Sequence, residues 1–113
     1  MSYDSVFKSD LFAGQTIMVT GGGSGIGRCT AHELAALGAH VVLVGRKLEK
    51  LERTAGEIVE DGGSVSFQVC DIRDEEAVKA MVKSVIAERG RIHHLVNNAG
   101  GQFPAPLIGI NQK

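Results

Sequence analysis

An α/β fold, a parallel sheet with helices on both faces, is predicted by three observations along this chain. Short apolar runs alternate with longer amphipathic stretches in the order strand, helix, strand, helix, strand, helix, strand, the pattern of right-handed βαβ units. Two of the runs, Ile17-Met18-Val19 and Val41-Val42-Leu43-Val44, are unbroken, as expected of strands covered on both faces. Glycines cluster where the first run gives way to the first helix, in Thr20-Gly21-Gly22-Gly23-Ser24-Gly25-Ile26-Gly27.

The elements follow in order. Thr16 to Val19 forms the first strand. Ile26, Thr30, Leu34 and Leu37 then recur at helical spacing, and Gly38 supplies the left-handed residue that ends the first helix. Val41 to Val44 is the second strand, central like the first. The second helix buries Leu48, Leu51, Ala55, Ile58 and Val59 and stops at Gly62-Gly63. Val65-Ser66-Phe67-Gln68-Val69 alternates instead, which marks an outer strand with one wetter face. Asp74-Glu75-Glu76 suits the positive end of a third helix, which buries Val78, Met81, Val82, Val85 and Ile86 before Gly90. Leu95-Val96 opens the fourth strand, closed by Asn97-Asn98-Ala99-Gly100. Residues 101–113, with Pro104, Pro106 and Gly109, read as a loop and the start of a helix.

Composition narrows the function classes. With 113 residues, 43% hydrophobic and 22% charged, the chain suits one domain with a modest core. A net charge of -1 gives no basic surplus for nucleic acid, and no basic amphipathic stretch suggests a membrane surface. The first residues, with Asp4 and Asp10, form neither a secretory apolar region nor a span, so a cytoplasmic location is expected. Cys29 and Cys70 form no Cys-x-x-Cys pair and are expected to be small buried residues. No metal is expected: His93 and His94 point to opposite faces of a strand, and His32 and His40 flank the first helix with no acidic or cysteine companion at useful spacing.

The glycine run carries the chemistry. A strand-to-helix turn without side chains lets backbone N–H groups approach phosphate oxygens, and the positive helix end favours the charge. Gly21 permits the tight turn, Gly25 the close approach of a pyrophosphate, and Gly27 the packing of the helix. The run lacks the Gly-Lys-Ser/Thr ending of a mononucleotide P-loop. The chain reads as a dinucleotide binder.

Thr20-Gly21-x-x-x-Gly25-x-Gly27 together with Asn97-Asn98-Ala99-Gly100 resembles the short-chain dehydrogenase/reductase family, over Gly14 to about Gly100. The resemblance implies a Rossmann-like, doubly wound parallel sheet, partial here, with about four strands in the order 3-2-1-4. It implies that Gly21, Gly22, Gly23, Ser24, Gly25 and Ile26 line the pyrophosphate and adenosine ribose. Asp71, with Ile72 beside it, would accept from the adenine amino group, although Asp71-Ile72-Arg73-Asp74 also suits a turn cap. Asn98, Ala99 and Gly100 would pass near the cofactor ribose, while Asn97 ties neighbouring strands.

Cofactor choice turns on the end of the second strand, where an acid would bond the 2′-hydroxyl of NAD. This chain has Gly45 there, followed by Arg46 and Lys47. A guanidinium forks onto phosphate oxygens, so NADP is expected, NADPH over NADH; Arg46 equally suits the solvated start of a helix. Many NADP-dependent members carry a basic residue where this chain has Ser24.

The family's tyrosine acid/base, with a lysine four residues later, has no counterpart. Tyr3 precedes the first strand and is followed by Phe7 at that spacing. The chain is therefore expected to be the N-terminal, cofactor-binding part, residues 1–113, of a single NAD(P)-binding domain in a longer oxidoreductase. The alternative is a non-catalytic, redox-sensing dinucleotide module. Gly101-Gln102-Phe103-Pro104-Ala105-Pro106-Leu107 resembles members acting on enoyl-CoA thioesters or citronellol-type terpenoid alcohols, so an acyl-CoA or terpenoid is the expected small-molecule partner. Phe103 and Leu107 are candidates for an apolar wall. The longer protein is expected to be a homo-oligomer.

Overall fold

The computed structural model describes residues 3–23 and 25–98. Four strands, β1 (Thr16–Thr20), β2 (His40–Gly45), β3 (Ser64–Val69) and β4 (His94–Asn97), alternate with three helices, α1 (Gly25–Ala36), α2 (Leu48–Glu60) and α3 (Glu75–Arg89). All strand pairs are parallel, and the sheet order is β3-β2-β1-β4. This is the expected Rossmann-like arrangement, with β3 at an edge as its alternation predicts.

Alternate residues of the strands feed two cores. Ile17, Val19, Val41 and Leu43 pack against Ala31 and Ala35 of α1 and Leu51, Ala55 and Ile58 of α2. Met18, Val42 and Val44 face the other way, onto Cys70 and Met81 and Val85 of α3. Because both faces are covered, Val41, Val42, Leu43 and Val44 are all 0% exposed. Each such side chain contributes about 1.5–3 kcal/mol relative to an exposed one. β4 pairs with β1 on one side only among the described residues, and Leu95 is exposed.

The helix faces differ from the sequence reading. The buried side of α1 is Gly27, Ala31, His32 and Ala35, and Ile26 is 76% exposed. Small residues let the helix lie close to the sheet, and Ile26 turns to solvent while Leu34 packs against the core. In α2, Leu48 and Val59 are exposed and Thr54 is buried in their place; in α3, Ile86 is exposed. Cys70 is buried as expected, whereas Cys29, on the outer side of α1, is exposed.

Helix ends follow the local chemistry. Gly38, Gly62 and Gly90 take positive φ after α1, α2 and α3. Asp74 caps α3, its side chain accepting from the Ala77 N–H at 3.1 Å. No helix among the described residues is long and apolar enough to cross a membrane.

Candidate functional site

The carboxyl ends of β1 and β2 open onto a cleft of about 150 Å³ lined by Gly21, Gly23, Gly45, Arg46, Lys47, Lys50 and Leu51. In a parallel sheet this end collects the loops that precede the helices, so the α1 and α2 amino termini converge on it. The Gly21 N–H donates to the Val44 carbonyl at 2.8 Å, which ties the glycine loop to β2. Thr54, buried on α2, donates its hydroxyl to the Gly23 carbonyl at 3.4 Å.

Two glycines are required by geometry. A Cβ on Gly27 would lie 2.0 Å from the Gly21 carbonyl oxygen and 2.7 Å from Asn98 Nδ2, so α1 starts directly against the loop. The close packing that Gly27 permits is with the loop and with Asn98 at the end of β4. Gly25 has φ +58, and a Cβ there would meet nothing within 4 Å. The loop is thus pressed against protein at one end and open at the other, as a cradle for a phosphate group must be.

The second wall is cationic. Lys47 is the N-cap of α2, with extended backbone and no side-chain cap bond, and Glu49 is the acid in the first turn. The contrast with α3, capped by Asp74 and followed by two glutamates, is direct. Cations at a helix amino terminus oppose its dipole. Neither Lys47 nor Lys50 forms an ion pair among the described residues.

Of the remaining predicted residues, Asn98 is bonded to Gly21 of the cleft and Asp71 lies within reach of the Arg46 charge. Asp71 follows β3 and its carboxylate is engaged by Arg73: Oδ1 accepts from the Arg73 N–H at 3.0 Å and Nε at 3.1 Å, and Oδ2 from Nη2 at 2.9 Å. Arg73 is the main cause, and nearby Arg46 a smaller one, of an Asp71 pKa of about 2. Asp71 thus closes its own turn through the Arg73 N–H, the turn-cap alternative that the sequence offers. Ile72 is 36% exposed beside it. Asn98 donates its N–H to Thr20 Oγ1 at 2.9 Å and its Nδ2 to the Gly21 carbonyl at 3.5 Å. Asn97, opposite Thr20 in the register, sits with Oδ1 3.4 Å from the Thr20 hydroxyl, a tie between strands. Ser24, Ala99, Gly100, Phe103 and Leu107 lie outside the described residues.

An ion cluster that spacing along the chain did not reveal backs α1. Arg28 donates Nε and Nη2 to the Glu57 carboxylate at 2.9 and 2.5 Å. His32, 2% exposed, has Nε2 2.9 Å from Glu57 Oε1 and Nδ1 3.9 Å from Asp61 Oδ2. His32 therefore has acidic companions after all, supplied by α2 across the helix pair. Among the described residues no group of three or more potential ligands could hold a metal. Tyr3 stacks on His32 with centroids 5.9 Å apart and donates to Glu33, which pushes its hydroxyl up to about 12. That bond holds it on α1. His40 has a different partnership: Nδ1 and Nε2 lie 2.6 and 3.0 Å from the Ser64 and Ser66 hydroxyls of β3, and burial lowers its pKa.

Known proteins share this arrangement. The family model described as short chain dehydrogenase matches residues 15–113. The structure of a citronellol catabolism dehydrogenase of Pseudomonas aeruginosa PAO1 is 76% identical, with a TM-score of 0.85, over 97% of this chain and 45% of that one. A metagenomic short-chain oxidoreductase solved in complex with NADP is 42% identical, with a TM-score of 0.77, over 88% of this chain and 46% of that one. A probable 2,4-dienoyl-CoA reductase of Bacillus subtilis is 39% identical over 92 residues, 81% of this chain and 36% of that protein. The chain thus spans well under half the length of the proteins it matches.

Proposed function

Because the chain belongs to the short-chain dehydrogenase family, we propose that it is the cofactor-binding part of an oxidoreductase that uses NADP. The observation that carries the proposal is the cleft in which Gly21 and Gly23 of the glycine loop face the cations Arg46, Lys47 and Lys50. Backbone amides at the start of α1 hold the pyrophosphate, which Gly22, Gly23 and Ser24 flank and Ile26 borders. Arg46 bonds the 2′-phosphate, and Gly45 leaves no carboxylate to repel it. Asp71 accepts from the adenine amino group with Ile72 against the ring. Asn98 and, by the family resemblance, Ala99 and Gly100 would line the route toward the nicotinamide ribose.

When bound, the nicotinamide exchanges a hydride with a substrate carbon; the chain's part is to bind and orient it. The clash that any side chain at Gly27 would make with Gly21 and Asn98 shows how closely loop, helix and β4 are fitted. That fit would hold the glycine turn rigid beside the end of β4 when the cofactor is bound.

The substrate class is inferred from what two similar proteins are named for. A protein 76% identical is named for citronellol catabolism, and a more distant relative for dienoyl-CoA reduction. We assign a terpenoid alcohol or carbonyl, with an acyl-CoA thioester as the second class. The two cysteines are unpaired, in keeping with a reducing cytoplasm, and the exposed Leu95 edge of β4 is in keeping with a homo-oligomer whose further segments cover it. Calorimetric titration of the protein with NADPH and with NADH tests the reading: saturable binding with NADPH the tighter is expected, and no heat with either coenzyme contradicts it.

A further inference from the structure

The strand β4 is short and has one neighbour among the described residues, β1, with which it pairs from Ile17 opposite His94 to Thr20 opposite Asn97. Val96 packs on the core while Leu95 is exposed, so the attachment of the strand leans on hydrogen bonds at its two ends. At the carboxyl end Asn98 bonds Thr20 and the glycine loop. At the amino end His93 supplies a further rung: its N–H donates to the Thr16 carbonyl at 2.8 Å, and the Thr16 N–H donates back to His93 Nδ1 at 2.9 Å. A ring nitrogen accepts a bond of the kind that backbone carbonyls accept elsewhere in a parallel ladder.

That bond fixes the protonation state of the ring. A backbone N–H only donates, so Nδ1 must carry a lone pair and the ring proton sits on Nε2. Imidazoles take up a second proton within about pH 5–8, and the doubly protonated ring has no acceptor left. His40 is built differently: its two nitrogens meet the Ser64 and Ser66 hydroxyls, which rotate to accept as readily as to donate. The charged and titratable groups on the elements around His93 are Arg91 and His94 on its own segment, exposed Lys8 and Asp10 before β1, His40 on β2, and Glu88 and Arg89 of α3, whose charges reach His40. Among the described residues no carboxylate stands within ion-pair distance of His93. An added proton therefore loses the Thr16 bond and gains no ionic partner.

We propose that His93 is a pH-sensitive fastener of β4: protonation of its ring releases Thr16, detaches the amino end of the strand, and loosens the hold of Asn98 on the glycine loop at the other end. The two ends are coupled because β4 is four residues long and lies between these two points of attachment. Acidification thus weakens coenzyme binding through the sheet. That last step rests on the reading of the cleft as a nicotinamide coenzyme site; the release of Thr16 does not.

The test compares wild-type protein with His93→Asn and His93→Leu at about pH 8 and about pH 5.5. Asparagine places an oxygen acceptor on Cγ where the ring has Nδ1 and does not titrate, and leucine offers no acceptor. Long-range nitrogen–proton spectra of the wild type at the higher pH should show His93 protonated on Nε2 alone. Amide hydrogen exchange should show the Thr16 protection factor falling roughly tenfold on acidification, about 1.4 kcal/mol, holding steady in His93→Asn, and low at both pH values in His93→Leu. The NADPH dissociation constant should rise on acidification roughly threefold more in the wild type than in His93→Asn. A proton on Nδ1 at the higher pH would overturn the proposal, as would the same pH dependence of Thr16 protection, or of NADPH affinity, in wild type and His93→Asn. So would loss of the wild-type acid effect on Thr16 in His40→Gln, which would make His40 the sensor. If His93→Leu fails to fold, the wild type and His93→Asn still decide the matter. Wild-type protein that binds neither coenzyme at the higher pH would sink the reading of the cleft, while Thr16 protection still decides whether His93 is the fastener.

Discussion

Replacing Glu57 by glutamine probes how strongly α1 and α2 are joined behind the cleft. The Glu57 side chain is 18% exposed, accepts two bonds from Arg28, and contacts His32. The Arg28 bonds are the largest cause, with His32 adding to them against the opposing effect of burial, of a pKa lowered from 4.5 to about 2. At about 1.4 kcal/mol per unit, that depression corresponds to about 3 kcal/mol of stability at neutral pH. The sign follows from linkage: an acid whose pKa is lower in the folded chain stabilises it above its ordinary range, and the gain is lost as pH falls through 4.5 toward 2. Urea unfolding at pH 7 should find Glu57→Gln about 2–3 kcal/mol less stable than wild type. By pH 3.5 the gap should narrow by about 1.4 kcal/mol. A gap of the same size at both pH values would refute the reasoning, because it would show that shape and not charge makes the bond.

Further outcomes are expected from the same geometry. Arg46→Ala should weaken NADPH roughly tenfold to a hundredfold, as loss of a charge-assisted bond of about 1.5–3 kcal/mol requires, and leave NADH unaffected; equal losses in a titration would remove Arg46 from the 2′-phosphate. Gly27→Ala, whose Cβ would stand 2.0 Å from the Gly21 oxygen, should lower the melting temperature and abolish coenzyme binding, since overpacking costs about 1–3 kcal/mol or more; wild-type affinity in that variant would contradict the tight joint. His40, its pKa lowered by burial from 6.5, stabilises the fold above that value and less as pH falls through it; His40→Gln should flatten the stability profile between pH 7 and 5, and an unchanged slope would clear His40 of the effect. A polypeptide of these 113 residues alone should self-associate through the exposed β4 edge, and a monomer in sedimentation at high concentration would contradict this.

Most of the architecture was legible because it depends on local pattern. The unbroken runs of β1 and β2, the alternation of β3 and the acids opening α3 each follow from which faces are covered and which helix end is positive. Helix faces were harder to read. In α1 much of the contact is made by Gly27, Ala31 and Ala35, residues too small to stand out in a hydrophobic pattern, so Ile26 looked like the core. The Arg28–Glu57–His32 cluster joins residues 25 and 29 positions apart, a separation that only the packing of two helices brings together. That the glycine loop and Arg46 share one cleft was legible because both follow directly from strand ends. Lys50 does not stand out in the sequence, since nothing in the spacing tells that α2 begins on top of Gly23.

The central claim, that a dinucleotide sits between the glycine loop and the cationic start of α2, is tested most directly by backbone amide resonances of the protein during an NADPH titration. The account predicts that the amides of Gly21, Gly23, Gly25, Ile26 and Arg46 shift and saturate together, while those of His32 and Ser64 stay in place. Shifts confined to other residues, or absent from the glycine loop at saturating NADPH, would contradict it.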